Sequence, residues 1–194
     1  MNEKFVTDLS EMSLKICLNY LSKINTAVDV TLGNGLDVEK FLPYVKDKFY
    51  AIDIQQAAID SAKSHLQANC DEKEYDKVEF ILDNHENIDK YVEKADLIVA
   101  NLGYLPNNSH EIITKSDSTL ICLSKGLDIL NVNGIMSVTS YLGHDRGKEH
   151  HIVSSFFKSI NPIKYKVLDI NPLNQSETAP ILFICQKVKP YFCF

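Results

Sequence analysis

Apolar positions in this chain alternate between two spacings, and each change of spacing marks a new element. Residues 8–21 set Leu9, Met12, Ile16, Leu18 and Leu21 roughly along one face, which predicts a helix. Residues 27–32 follow as a short buried strand, closed by Gly33-Asn34-Gly35. The stretch 37–45 is helical in pattern, and Pro43 stops or bends it. A second strand over 49–54 leads into a helix over 56–69 with Ala, Ile and Leu on one side. A third strand over 78–82, a helical turn over 88–92 and a fourth strand over 96–101 come next. A loop rich in Asn, Gly, Pro and Ser (103–110) precedes a helix over 116–130 and a fifth strand over 134–140. After another polar loop, the pattern predicts a helix over 149–159 and two last strands, 165–170 and 181–186.

Strands alternating with helices of about 10–15 residues predict a parallel sheet covered by helices on both faces. The last two strands have no helix between them, so they predict an antiparallel hairpin at one edge. The expected fold is α/β and Rossmann-like, with a seven-stranded, mostly parallel sheet. No linker, repeat or low-complexity segment interrupts it. One domain is expected over 1–194, with an N-terminal helix in 8–24 and a core over 27–187.

Composition narrows the class without naming a function. The 194 residues are 45% hydrophobic and 24% charged, which excludes a disordered, collagenous or coiled-coil chain. No apolar run approaches the roughly 20 residues of a membrane span, and the polar, acidic start does not resemble a signal peptide. The five cysteines (Cys17, Cys70, Cys122, Cys185 and Cys193) are scattered, with no C-x-x-C pair. That counts against a disulfide framework or a zinc site and suits a reducing, cytoplasmic setting. No metal constellation emerges, and the adjacent His150 and His151 read as a solvated surface pair. A net charge of −6, with Arg146 the single arginine, counts against a nucleic-acid partner.

The candidate chemistry gathers where strands end. In open α/β sheets ligands sit outside the carboxyl ends of the strands, at the point where strand order reverses. After strand one stands Gly33-Asn34-Gly35, either a simple left-handed turn or a loop whose backbone approaches a ligand. Asp53, with Gln55 just beyond, closes strand two at about the distance from the first glycine where an acid takes up ribose hydroxyls. A nicotinamide fingerprint needs a third glycine, and Val38 stands in its place. Asp29, inside strand one, would repel a pyrophosphate and suits a cationic or amino-bearing ligand. Asp83-Asn84-His85 follows strand three; His85 reads as a ligand contact or as a cap for the next turn. Asn101-Leu102-Gly103-Tyr104-Leu105-Pro106 follows strand four.

Acid in strand one, glycine loop and acid ending strand two resemble class I S-adenosylmethionine-dependent methyltransferases. A sharper resemblance is to one family of them, known as putative rRNA methylase. Residues 29–35 (DVTLGNG) are similar to its D-A-T-x-G-N-G opening, and 101–106 (NLGYLP) match its N-L-G-Y-L-P. Thr114-Lys115 and Ser118-Thr119-Leu120 resemble its T-K and T-T-L. Tyr141, Gly143, His144, Gly147, Lys148 and Glu149 fit Y-x-G-H-x-x-G-K-E, and Asn174, Gln175 and Pro180 fit a closing N-Q-x-x-x-x-P. The likeness runs from about residue 27 to 187. Leu36 stands where members carry a polar residue, Val38 replaces a usual Thr, and Ser109 stands where an Asp is general. The tail 189–194 lies outside the likeness.

The resemblance implies S-adenosyl-L-methionine as cofactor. Asp29 would lie near its amino-acid end, Gly33, Asn34, Gly35 and Leu36 beneath it, Asp53 and Gln55 at the ribose, and Asn84 and His85 at the adenine. It implies methylation of the aminomethyl nitrogen of 5-aminomethyl-2-thiouridine at the tRNA wobble position. Asn101 would hold the nitrogen, Tyr104 would pack on the base, and His144 would contact substrate or act as base. The partner is then tRNA, with neither metal nor membrane, and a homodimer is left open. An rRNA or small-molecule methyltransferase and a catalytically silent cofactor-binding protein are the competing readings. An acidic protein can still bind tRNA through a local rim, because screening confines each charge to roughly 8–10 Å. Lys115, Arg146, Lys148, Lys164 and Lys166 are the expected rim.

Overall fold

The computed structural model describes residues 8–103, 116–142, 147–176 and 178–189. Helix α1 (Leu9–Tyr20) begins where the Asp8 carboxylate accepts the Glu11 N–H, satisfying one of the amides a helix start leaves unpaired. Strand β1 (Ile24–Asp29) leads through the glycine loop to α2 (Leu36–Phe41), which ends in a 3-10 turn at Pro43. Strand β2 (Val45–Asp53) is followed by α3 (Gln56–Asn69), which buries Ala58, Ile59, Ala62 and Leu66 along one face. The short α4 (Glu72–Tyr75), capped by Asp71, precedes β3 (Val78–Leu82) and a 3-10 turn (His85–Lys90). Then come β4 (Ala95–Leu102), α5 (Ser116–Ile129), β5 (Leu130–Ser140), α6 (Lys148–Ser159), β6 (Tyr165–Ile170) and β7 (Ile181–Lys187).

One sheet joins all seven strands in the order β3-β2-β1-β4-β5-β7-β6. β7 is antiparallel to both its neighbours, and the remaining pairings are parallel. Side chains alternate between two cores, as strand geometry requires. Ala27, Phe49, Leu97, Ile135 and Leu182 face α1, α2 and α3. Val28, Ile52, Ile98, Met136 and Phe183 face the second 3-10 turn, α5 and α6.

Three strands begin three or four residues earlier than the sequence pattern places them, each for a local reason; α4 is not in that pattern, α2 ends at Phe41 rather than 45, and the second 3-10 turn starts at His85 rather than 88. β1 lies three residues earlier than expected, because Asn25 and Thr26 are drawn into it by their N–H bonds to Asp96 Oδ2 (2.8 and 3.3 Å). Val30 and Leu32 stay buried beyond its end, so the apolar run continues into a turn. β2 starts at Val45, where Ile24 pairs with it. β5 starts at Leu130: its register on β4 jumps from Ala95–Leu130 to Leu97–Ile135, and Asn133 takes a φ of 69°.

Candidate active site

Strand order reverses about β1, whose neighbours β2 and β4 carry the chain in opposite directions across the sheet. The turn after β1 straddles that reversal. The Val30 N–H donates to Val99 O on β4, and two residues later the Leu32 N–H donates to Ile52 O on β2, each at 3.0 Å. The loop then bends through Gly33 (φ 53°) and Gly35 (φ 81°) into α2. A Cβ on Gly35 would stand 3.1 Å from the Ala62 Cβ, so α3 packs directly on the loop. Leu36 opens α2 and is exposed.

Asp53, the last residue of β2, holds this loop from the side. Its Oδ2 accepts the Gly33 N–H and its Oδ1 the Gln55 N–H, both at 2.9 Å. The spacing of 20 residues read from sequence is thus a direct bond. Asn34 Oδ1 accepts from the Ser61 hydroxyl of α3 at 3.0 Å. Asp29, the last residue of β1, is only 1% exposed, and its Oδ1 accepts from the Thr31 N–H (2.9 Å) and, at a longer 3.4 Å, its hydroxyl. Burial holds the Asp29 carboxyl well above the usual carboxylate range; the nearby Asp37 and Asp53 add to this, against the pull of the Thr31 bonds. No salt bridge to Asp29 occurs among the described residues.

Asp83 is committed to its own turn. It accepts from the Asn84 N–H, Asn87 Nδ2 and the Tyr91 hydroxyl at 2.7–2.9 Å, and the Tyr91 and Asn87 bonds hold its carboxyl below the ordinary value. Asn84, rather than His85, caps the 3-10 turn, through the Glu86 N–H. The His85 Nε2 is buried with no hydrogen-bond partner among the described residues, and burial lowers the imidazole's pKa.

Asn101 stands one residue before the end of β4, on the same sheet face as Asp29. Its N–H donates to Thr31 Oγ1 at 2.6 Å, and its Nδ2 donates to Asp37 Oδ2 of α2 at 3.3 Å. Its Oδ1 is buried and unpartnered among the described residues. Asn101 also lines a cleft of about 320 Å³ with Asp8, Leu9, Ser10, Thr139, Tyr141 and Pro180. A larger groove of about 430 Å³, at Pro162, Ile163, Lys166 and Val188, lies at the opposite end of the sheet and holds none of these groups.

The structure therefore brings Asp29, Gly33, Asn34, Gly35, Leu36, Asp53, Gln55 and Asn101 to one edge of the sheet, with Asn84 and His85 after the neighbouring β3. Tyr104 and His144, like Ser109, Lys115 and Arg146, lie outside the described residues. Asp37 and Ser10 carry no sequence signal for the site, since their contacts join separate elements; Thr31 is in the D-A-T-x-G-N-G match, but its bond to Asn101 is not read from it. Two expectations are corrected. His150 is buried, stacked on Phe183 at 5.7 Å, so it is no surface residue. Lys164 and Lys166 flank Tyr165, which pairs with Lys187 at the far end of the sheet; they do not border the site. Among the described residues there is no His, Cys, Asp and Glu group able to hold a metal, and no helix long and apolar enough to cross a membrane.

Comparison with known proteins decides the family. The sequence profile described as "Putative rRNA methylase" matches residues 49–186, well over half of the chain. The chain belongs to that family. Its members are methyltransferases. Over 91% of its length it superposes on 96% of a "putative rRNA-methylase" from Clostridium thermocellum, at 32% identity and a TM-score of 0.85. A "putative methyltransferase" from Streptococcus mutans, solved in complex with SAH, is 33% identical, with a TM-score of 0.82 and coverage of 92% and 97%. A chloroplastic tRNA (mnm(5)s(2)U34)-methyltransferase of Arabidopsis thaliana is 34% identical over 153 residues, 74% of this chain and 56% of the plant protein. The chain thus spans about half the length of that curated relative.

The cofactor of this family fold is S-adenosyl-L-methionine, and SAH is what remains of it after the methyl group leaves. The residues present fit it. A buried carboxylate without an ion-pair partner among the described residues suits its ammonium, Asp53 retains acceptor capacity for ribose hydroxyls, and the His85 Nε2, likewise without a partner among them, suits a polar base edge.

Proposed function

We propose that this chain methylates the aminomethyl nitrogen of 5-aminomethyl-2-thiouridine at the wobble position of tRNA. The observation that carries the reading is the Oδ1 of Asn101, buried near the end of β4 and without a hydrogen-bond partner among the described residues. An unpaired buried carbonyl costs about 1–3 kcal/mol, and a donor such as an amine N–H relieves it. The relative from Arabidopsis thaliana, named for the same wobble nucleoside, supports this choice of amine.

When bound, S-adenosyl-L-methionine supplies an electrophilic methyl group on a sulfonium. In the proposed site Asp29 receives the cofactor's ammonium, Asp53 its ribose hydroxyls, and Gly33, Asn34, Gly35 and Leu36 pass beneath it. Gln55 fixes the Asp53 carboxylate, and Asn84 with His85 borders the adenine. The amine attacks only with its lone pair free, so the site must accept its N–H bonds without protonating it. Asn101 does this, because its carbonyl accepts and cannot donate. Tyr104 is assigned to stacking on the base, and His144 to contact with the substrate. Holding the amine in line with the bond to be broken is the main device, worth up to roughly 7–11 kcal/mol in favourable systems.

The test is transfer of labelled methyl to tRNA bearing the aminomethyl group, with rRNA and free primary amines as alternative acceptors. Transfer to that tRNA alone, reduced at least a hundredfold by Asn101→Ala, is expected. Transfer to rRNA or a free amine in its place, or to nothing despite cofactor binding, would establish one of the competing functions.

A further inference from the structure

The amide of Asn101 has two orientations, and only one leaves an acceptor for an amine. We infer that Asp37, itself held by Ser10 of α1, is the positioning residue that selects that orientation. The inference rests on reading Asn101 as the acceptor of the substrate amine, and it makes α1 a part of the reactive site as well as of the scaffold.

The chain of donors and acceptors leaves little freedom. Lys40 Nζ, one turn along α2 from Asp37, donates to Ser10 Oγ at 2.7 Å. An ammonium can only donate, so the serine oxygen is the acceptor there and its single proton must point elsewhere. It points to Asp37 Oδ1, at 2.5 Å. The other carboxylate oxygen, Oδ2, lies 3.3 Å from Asn101 Nδ2. A carboxylate only accepts, so Asn101 must turn its NH2 toward Asp37 and its carbonyl away. The backbone of Asn101 is fixed independently, through its N–H bond to Thr31 Oγ1. What Asp37 settles is therefore the amide's rotation, which decides whether the substrate nitrogen meets an acceptor or a donor. Ser10 and Asn101 line the same cleft.

Asp37→Asn keeps the shape and removes the selection, because an amide can pair with either end of Asn101. On tRNA carrying 5-aminomethyl-2-thiouridine, Asp37→Asn is expected to lower kcat at least tenfold, with the KM for S-adenosyl-L-methionine and the melting temperature near wild type. Ser10→Ala is expected to lower kcat three- to fivefold, and Ser10→Thr to restore it. In an Asn101→Ala background Asp37→Asn should cost nothing further. The side-chain amide protons of Asn101 in a 15N-correlated NMR spectrum of the cofactor-free protein give a readout without turnover. They should lie downfield in the wild type and return toward the free-amide position in Asp37→Asn. Wild-type kcat in Asp37→Asn, an equal loss with and without Asn101, or an unmoved amide resonance would each overturn the inference. If the wild type leaves this tRNA unmethylated, the substrate reading fails while the NMR arm still decides the role of Asp37.

Discussion

Asp53 and Asn101 stand near the ends of the two strands that flank β1, and they are anchored in opposite senses. Asp53 has an N–H on each oxygen, from Gly33 and Gln55. Asn101 has its N–H and its side-chain nitrogen anchored, and its oxygen without a partner among the described residues. Folding alone therefore finishes the glycine-loop side, where backbone and carboxylate hold each other. The β4 side still offers an acceptor, which a group bringing its own hydrogen-bond donor would complete. A preformed cage on one side and an unmet acceptor on the other suit an enzyme whose cofactor is constant and whose substrate supplies the last hydrogen bond.

Asp29, between the two, gives the sharpest way to break the comparison. Asp29→Asn is expected to weaken S-adenosyl-L-methionine about a hundredfold in calorimetric titration, roughly the worth of a charge-assisted contact. Its effect on stability has the opposite sign. The folded carboxyl titrates above its ordinary 3.8, so its contribution is fully present below that value and is lost as pH rises through the folded pKa. Without cofactor, Asp29→Asn should melt above wild type at pH 8, by about 3 °C per kcal/mol for a chain this size, and the difference should close near pH 4. Asp53→Ala comes next. It removes the acceptor for two loop amides, and should weaken the cofactor about tenfold and cost about 1–3 kcal/mol in urea unfolding. Gly35→Ala puts a side chain at φ 81° against α3. It should cost about 1–3 kcal/mol for the backbone alone, measured by the same unfolding. Ser140→Ala is the smallest. This buried hydroxyl at the end of β5 has no partner among the described residues. Stability should hold or rise by up to about 1 kcal/mol, in contrast to the loss at Asp53.

The elements legible in sequence were those with clean edges. α3, β3 and β6 match the pattern residue for residue, because the spacing is regular and breakers or polar residues bound each one. The start of β1 is not legible, because the polar Asn25 and Thr26 separate Ile24 from the apolar run. Asn25 and Thr26 join through backbone bonds to an aspartate about 70 residues away, which no local pattern records. At the site, the glycines and the two strand-end acids were legible by spacing, since β1 and β2 are consecutive and adjacent. The network around Asn101 was not. Asp37 reaches it across 64 residues and Ser10 reaches Asp37 across 27, and each looks like an ordinary helix-start residue until the helices are packed. The burial of His150 is hidden from the sequence for the same reason, because the ring that covers it, Phe183, comes from a strand placed by the final hairpin.

That hairpin also sets a schedule for the nascent chain. β7 lies between β5 and β6 although it follows both in sequence, and it pairs with β5 from Ile135–Gln186 to Ser140–Ile181. A ribosome that has not yet released residues 181–187 presents β5 with one open edge and β6 with no strand to join. The sheet then ends in unpaired N–H and C=O groups along an apolar strand, the template on which aggregates grow. Synthesis of the penultimate strand gains the fold nothing; the last one closes both gaps at once.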